Sequence, residues 1–313
     1  MKMITGLLLA AFSISASAGE WIADTNTRCQ VWNSNPQTGE SIKWSGPCRD
    51  GKANGQGVLQ WYKNGIPDSR DEGHFIDGRM NGKGVLVTSD GYRYEGEFRD
   101  GQQTKGVANY KTGNRYEGEF QNGKYNGKGI FSLANGVRYE GDFRDGKFNG
   151  KGIVSLANGA RYEGEFRDGK YNGKGILTRA NGNRYEGEFR DDKYNGKGIL
   201  SFPDGNRYEG EFRDGNYNGK GIFSFASRGR YEGDFRDGKF NGKGVFTRAN
   251  GDRYEGDFRD DKFNGNGVLT RANGDRYEGD FRNGELHGRA VYTRSNGERI
   301  EGEYDKNELV TRY

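Results

Sequence analysis

The chain has little of what most catalytic sites are built from. In 313 residues it holds two cysteines, two histidines and four prolines. Two thiols cannot make a multi-disulfide scaffold, and they lack the further Cys or His partners that a zinc site needs. The histidines, His74 and His287, each replace an ordinary residue of a recurring block and have no constant partner, so neither reads as a metal ligand, a base or a catalytic group. Beyond the first residues no apolar run is long enough to cross a bilayer. Neither sign of charge dominates, with 49 Lys and Arg against 45 Asp and Glu, which excludes the basic footprint of a nucleic-acid binder. Hydrophobic residues make up 31%, low for an ordinary globular core.

What is abundant is glycine, 55 residues, together with 19 Tyr, 19 Phe and 4 Trp. So much glycine suggests disorder, but disordered chains are poor in rings, and here the rings return at fixed places. The block Arg-Tyr-Glu-Gly-(Glu/Asp)-Phe recurs with its tyrosines at 116, 139, 162, 185, 208, 231, 254 and 277, always 23 residues apart. Tyr94 opens the same block 22 residues before Tyr116, Glu72-Gly73-His74-Phe75 is a worn copy, Trp44 begins another, and Ile300 to Tyr313 is a closing half. A fixed period of this length marks a stack of small units that touch their neighbours and offer an extended surface. Eleven units and a half fill residues 44–313.

Within a unit, Arg138-Tyr139-Glu140-Gly141-Asp142-Phe143 alternates strictly, with Tyr139, Gly141 and Phe143 on one side and charges on the other. This predicts a β-strand with one buried face. Gly141 is costly in a strand unless something approaches closely, and an aromatic ring lying over the bare backbone supplies the reason. Arg144-Asp145-Gly146-Lys147 reads as a turn, Gly152-Ile153-Val154-Ser155 as a second strand, and Ala157-Asn158-Gly159 as the turn to the next unit. Asp192 and Asp261 replace the turn glycine, and Asp tolerates the left-handed conformation such a turn needs. The unit after Tyr94 is one residue short, a loss assigned to a loop. Gly-Lys-(Tyr/Phe)-Asn-Gly-Lys-Gly lacks the Ser or Thr and the strand-to-helix setting of a phosphate loop, and reads as a turn.

A hairpin with three rings, each contributing about 2 kcal/mol on burial, cannot offset about 1 to 2 kcal/mol of backbone entropy per ordered residue, so stacking is obligatory. The expected fold is all-β: an elongated single-sheet stack of antiparallel β-hairpins, on the order of 100 Å long at ~4.8 Å per strand. The recurring Arg, Glu and Asp, such as Arg138, Glu140, Asp142, Arg161, Glu163 and Glu165, read as cross-strand pairs on a solvated face. That charged face argues against an outer-membrane barrel, which needs an apolar outer band.

The first 18 residues differ in kind: Lys2, an apolar run from Ile4 to Ile14, and Ala16-Ser17-Ala18. They read as a secretory signal peptide cleaved after Ala18, which places the mature chain in the periplasm or outside the cell. Residues 19–43 form a capping segment. In an oxidising compartment Cys29 and Cys48 pair as a disulfide, worth about 3 kcal/mol by chain entropy, and with Trp21, Trp32 and Trp44 they seal the open side of the first unit.

The motifs Tyr-Glu-Gly-Glu-Phe, Asp-Gly-Lys-Tyr-Asn-Gly-Lys-Gly and Ala-Asn-Gly together resemble the MORN (membrane occupation and recognition nexus) repeat over nearly all of residues 44–304. The resemblance implies meandering hairpins, a groove lined by aromatics, and a role as scaffold, partner-binding or dimerisation module, with phospholipid binding also attributed to the family; no cofactor or small-molecule substrate is expected. The groove positions it implies are Tyr94 and Phe98, Tyr116 and Phe120, Tyr139 and Phe143, Tyr162 and Phe166, Tyr185 and Phe189, Tyr208 and Phe212, Tyr231 and Phe235, Tyr254 and Phe258, and Tyr277 and Phe281. The same rings equally read as core that packs on itself. The expected partner is an unidentified protein or a second copy of the chain, held by the groove or by an edge strand. The alternative is anionic lipid or envelope glycan, met by the turn lysines Lys124, Lys147, Lys170, Lys193 and Lys239.

Overall fold

The computed structural model describes residues 19–313; the expected signal peptide lies outside them. The described residues are all-β, without a helix, and form two compact units, 19–157 with 167–169 and 158–166 with 170–313. In each unit antiparallel hairpins follow one another in chain order.

Strands Arg138–Arg144 and Lys147–Ser155 show how one repeat is built. They are joined by Asp145 (φ 50°) and Gly146 (φ 79°), the two positive dihedrals of a type I′ turn, whose twist matches that of the flanking strands. Where aspartate replaces the glycine, Asp192 and Asp261 keep φ at 68° and 66°. Their carboxylates also accept bonds from the Tyr171 and Phe240 amides, both at 2.8 Å, so the substitution adds a tie to the preceding repeat. A backbone tie is general: the Gly146 amide donates to the Tyr125 carbonyl and the Gly215 amide to that of Tyr194, each at 2.9 Å.

Register puts the glycines in line. Gly129 faces Gly141, which faces Gly152, and in the second unit Gly198, Gly210, Gly221, Gly233 and Gly244 continue in the same manner. Between Gly141 and Phe143 the register shifts, because Asn149, Gly150 (φ 63°) and Lys151 lie opposite the single Asp142. The second strand therefore begins at Lys147, five residues before the expected start at Gly152. The segment read as a turn is a strand with a bulge in it, since positive φ serves a bulge as well as a turn. The short unit after Tyr94 loses its residue here too, inside strand Gln102–Asn109, where the register shift between Gln103 and Lys105 leaves Thr104 alone.

At the amino end, strands Glu20–Ala23 and Gln30–Asn33 make a small sheet with Lys52–Ala53 and Cys48–Arg49, closed by the Cys29–Cys48 disulfide. Trp21 meets Trp32 edge to face at 5.3 Å, with the Arg79 guanidinium 5.0 Å from the Trp32 ring. Trp44 has a different place. It ends strand Glu40–Trp44, which is already part of the repeat sheet through its pairing with Gly55–Lys63. Its buried indole lies over Gly46 and Gly57, so Trp44 does the work of the repeat tyrosine rather than sealing an end. The Asp24 carboxylate accepts its amide at 2.7 Å.

Candidate functional site

The ring side of the sheet is layered. Tyr139 lies flat over the Gly141–Gly152 pair, and a Cβ on either glycine would stand 2.6 or 2.5 Å from its hydroxyl oxygen. The ring that needs the bare backbone is thus the unit's own tyrosine. Its hydroxyl donates to the Asp142 carbonyl at 2.8 Å, a bond repeated from Tyr116 to Glu119, Tyr185 to Glu188, Tyr208 to Glu211 and Tyr231 to Asp234. Trp44 copies it with its indole N–H on the Pro47 carbonyl. Burial pushes these hydroxyls up; that of Tyr94 reaches about 12.

A second ring stacks on the first. Phe148 lies 3.8 Å from Tyr139 at 12°, Tyr194 3.8 Å from Tyr185 at 14°, and Phe240 3.8 Å from Tyr231 at 12°. The phenylalanines of the first strand stand on edge between neighbouring stacks, as Phe212 does at 5.1 Å from Tyr185 and 5.0 Å from Tyr208.

This layering corrects the groove reading. Tyr94, Tyr116, Tyr139, Tyr162, Tyr185, Tyr208, Tyr231 and Tyr254 are at most 1% exposed, and the phenylalanines from Phe98 to Phe281 at most 7%. They are the floor and its partitions, and they have no free face to offer. Tyr277 alone of the eighteen is half-buried. The surface that a partner would meet is made by residues of the second strand, half-buried at Tyr171, Tyr217, Phe240 and Phe263, and by Leu200, Phe223, Phe246 and Leu269 beside them. Their signal was the aromatic of Lys-(Tyr/Phe)-Asn-Gly, hidden by reading that segment as a turn.

The opposite face carries paired charges. Arg138 meets Glu140 and Arg161 meets Glu163, both at 2.7 Å, so these pairs run along one strand rather than across two. Cross-strand pairs come from the second lysine of the repeat, Lys128 with Asp142 and Lys220 with Asp234, each at 3.0 Å. A hollow of about 490 Å³ over the glycine row is lined by Glu232, Glu255 and Glu278 and by Lys243, and each of these glutamates is already paired with the arginine two residues before it. The turn lysines Lys124, Lys147, Lys170, Lys193 and Lys239 are exposed, but turn aspartates of the next repeat lie among them. Lys170 is 3.8 Å from Asp191, Lys193 3.7 Å from Asp214 and Lys239 3.4 Å from Asp260. A row so countered has little net attraction for an anionic surface. His287 sits 3.1 Å from Asp305 on the surface, and among the described residues no cluster of three His, Cys, Asp or Glu is placed to hold a metal.

The family model for the MORN repeat matches the chain at residues 49–66, 72–91, 94–115, 116–138, 139–161, 162–184, 185–207, 208–230, 231–253, 254–276 and 277–299. Comparison with curated proteins gives no match. Among solved structures the chain is similar to the wild-type TCP10 domain of CPAP from Danio rerio, at 12% identity over 70% of this chain and 99% of that one, with a TM-score of 0.33. A mutant of that domain matches at 10% identity over 78% and 97%, with a TM-score of 0.24. A streptogramin B lyase matches at 14% identity over 94% and 85%, with a TM-score of 0.15.

Proposed function

The chain belongs to the MORN repeat family, and from that membership we propose a non-catalytic exported scaffold that holds a protein partner, or a second copy of the chain, against the ring side of its repeats. The observation that carries this reading is the stacking of second-strand rings on buried tyrosines, which leaves a half-buried aromatic surface at Tyr171, Tyr217, Phe240 and Phe263. Rings held flat by a layer beneath lose little freedom when a partner covers them, which favours binding. Export is supported by the Cys29–Cys48 disulfide, since such bonds persist in oxidising compartments, and by the leader-like composition of residues 1–18.

A photo-reactive phenylalanine analogue at position 217, on the ring side, tests the reading against the same analogue at position 220 on the charged face. The expected result is a discrete adduct, with an envelope protein or a second copy, from position 217 and none from position 220. Adducts from position 220 alone would sink it. Salt-sensitive sedimentation with anionic vesicles, lost when Lys170, Lys193 and Lys239 are changed to Gln, would instead favour lipid through the turn lysines.

A further inference from the structure

In the second unit the second-strand rings are Tyr171, Tyr194, Tyr217, Phe240 and Phe263, each stacked on a buried tyrosine within 3.9 Å; four of them are half-buried and Tyr194, beneath Arg179, is buried. One ring comes from every second strand, and neighbouring strands lie about 4.8 Å apart, so equivalent ring faces recur about every 9.6 Å across the strands. A polyproline II helix has three residues per turn and rises about 3.1 Å per residue, so one of its faces recurs about every 9.3 Å. The mismatch is ~0.3 Å per repeat, and over the four intervals between these rings it grows to only about 1 Å, less than the width of a ring. An extended β-strand, at about 3.3 Å per residue with a two-residue face period, would repeat near 6.6 Å and fall out of step at once.

The same side carries a cation without an ion pair. Arg179 lies with its guanidinium 5.7 Å from the centre of the Tyr194 ring. Of its counterparts, Arg248 and Arg294 pair with the acid four residues on, Asp252 and Glu298, and Arg271 has Asp275 at that offset, but Arg179 has Asn183. No carboxylate of the described residues stands within ion-pair distance of it, and its Nε is buried without a hydrogen-bond partner.

We propose that the ring row of the second unit binds a proline-rich segment in the polyproline II conformation, lying across the strands with one turn on each half-buried ring and, at the repeat where Tyr194 is covered, a carboxylate on Arg179. This rests on the protein-binding reading above and names its ligand class. Flat aromatic faces suit prolines because the helix is already extended and little entropy is lost on docking. The arginine supplies register, since a carboxylate beside it fixes which triplet meets which ring.

The test is fluorescence anisotropy of the intact protein with a labelled peptide of Pro-Pro-Glu triplets, one per ring, against a Gly-Gly-Glu peptide of equal length and charge. The proline peptide is expected to bind at least ~10-fold tighter, and Arg179→Glu to weaken it by about 10-fold. Phe240→Ala should also weaken it, with Arg179→Glu, at a half-buried side chain, as the variant that leaves the ring stacks in place. Equal binding of both peptides, or of neither, overturns the proposal. If position 217 yields a protein adduct that the proline peptide does not displace, the binding reading stands and this one fails; if it yields none, the parent reading fails as well.

Discussion

Ala290 occupies the place that glycine holds in the preceding repeats, opposite Gly279, and Tyr277, whose ring would lie over that pair, is half-buried while its counterparts are closed off. A Cβ built on Gly279 falls 2.5 Å from the Ala290 methyl, so the backbone there is no longer bare. The ring stacks instead on Tyr292 at 4.4 Å, and Leu286 fills the site of the usual second ring. We expect tyrosine nitration to modify Tyr277 well before Tyr208 or Tyr231, and Ala290→Gly to protect it. Unchanged nitration of Tyr277 in that variant would show that the methyl is not what lifts the ring.

The converse change is made in the middle of the array. Gly221→Ala would set a methyl 2.5 Å from the Tyr208 hydroxyl, which is tied to the Glu211 carbonyl at 2.9 Å and has no room to retreat. Overpacking of this kind costs about 1 to 3 kcal/mol, and loss of the hydroxyl bond adds about 1. Urea unfolding should show a loss of at least ~2 kcal/mol, with Tyr208 becoming open to nitration. A variant as stable as the parent would refute the flat-ring account.

The relation between glycine and ring was legible in the sequence, because Gly141 between Tyr139 and Phe143 breaks a strand for no other reason. So were the period, the Asp-Gly turns and the cysteine pair. Which ring lies beneath was not legible. Alternation places Tyr139 and Phe148 on the same side of the sheet, but only the register, with Gly152 brought opposite Gly141, decides that the tyrosine goes down first and the phenylalanine stacks above it. The start of the second strand was missed for a related reason. Asn149-Gly150 has the composition of a turn, and only the pairing of Phe143 with Phe148 reveals it as a bulge.

Alkaline titration probes the same layer. Burial raises the tyrosine hydroxyls, to about 12 for Tyr94, Tyr171 and Tyr217. A pKa raised on folding gives stability that is full below the unfolded value near 10 and is lost as pH climbs through the folded value. The buried tyrosines should therefore ionise together with unfolding, in one steep rise of tyrosinate absorbance near pH 12. A gradual titration centred at pH 10 would contradict their burial.

Reduction of the disulfide should act on one unit. Cys29 and Cys48 lie 19 residues apart in the first unit, and opening that loop is expected to cost it about 3 kcal/mol. Calorimetry with and without reductant should lower the transition of the first unit and leave that of the second in place. An equal shift of both, or of neither, would contradict this assignment.

Asp71 offers the most specific pH signal. It stands where later repeats have the flat tyrosine, one block before Tyr94, and the Met80 side chain fills the space over Gly73 and Gly84 instead. Its strand neighbours on either side are Leu59 and Leu86. Burial pushes the carboxyl up to about 6, although Trp61 donates its indole N–H to it at 3.0 Å. The folded pKa is raised, so this group's stabilising effect is complete below the ordinary carboxylate value near 4 and is lost as pH rises through 6. The first unit should thus lose on the order of 2 kcal/mol from this group between pH 4 and pH 7. Asp71→Asn keeps an acceptor for Trp61 and cannot ionise, so the variant should be more stable than the parent at pH 7 and match it near pH 4. If parent and variant keep the same stability difference across that range in urea unfolding, Asp71 is already solvated in the folded chain and the substitution of acid for ring carries no pH response.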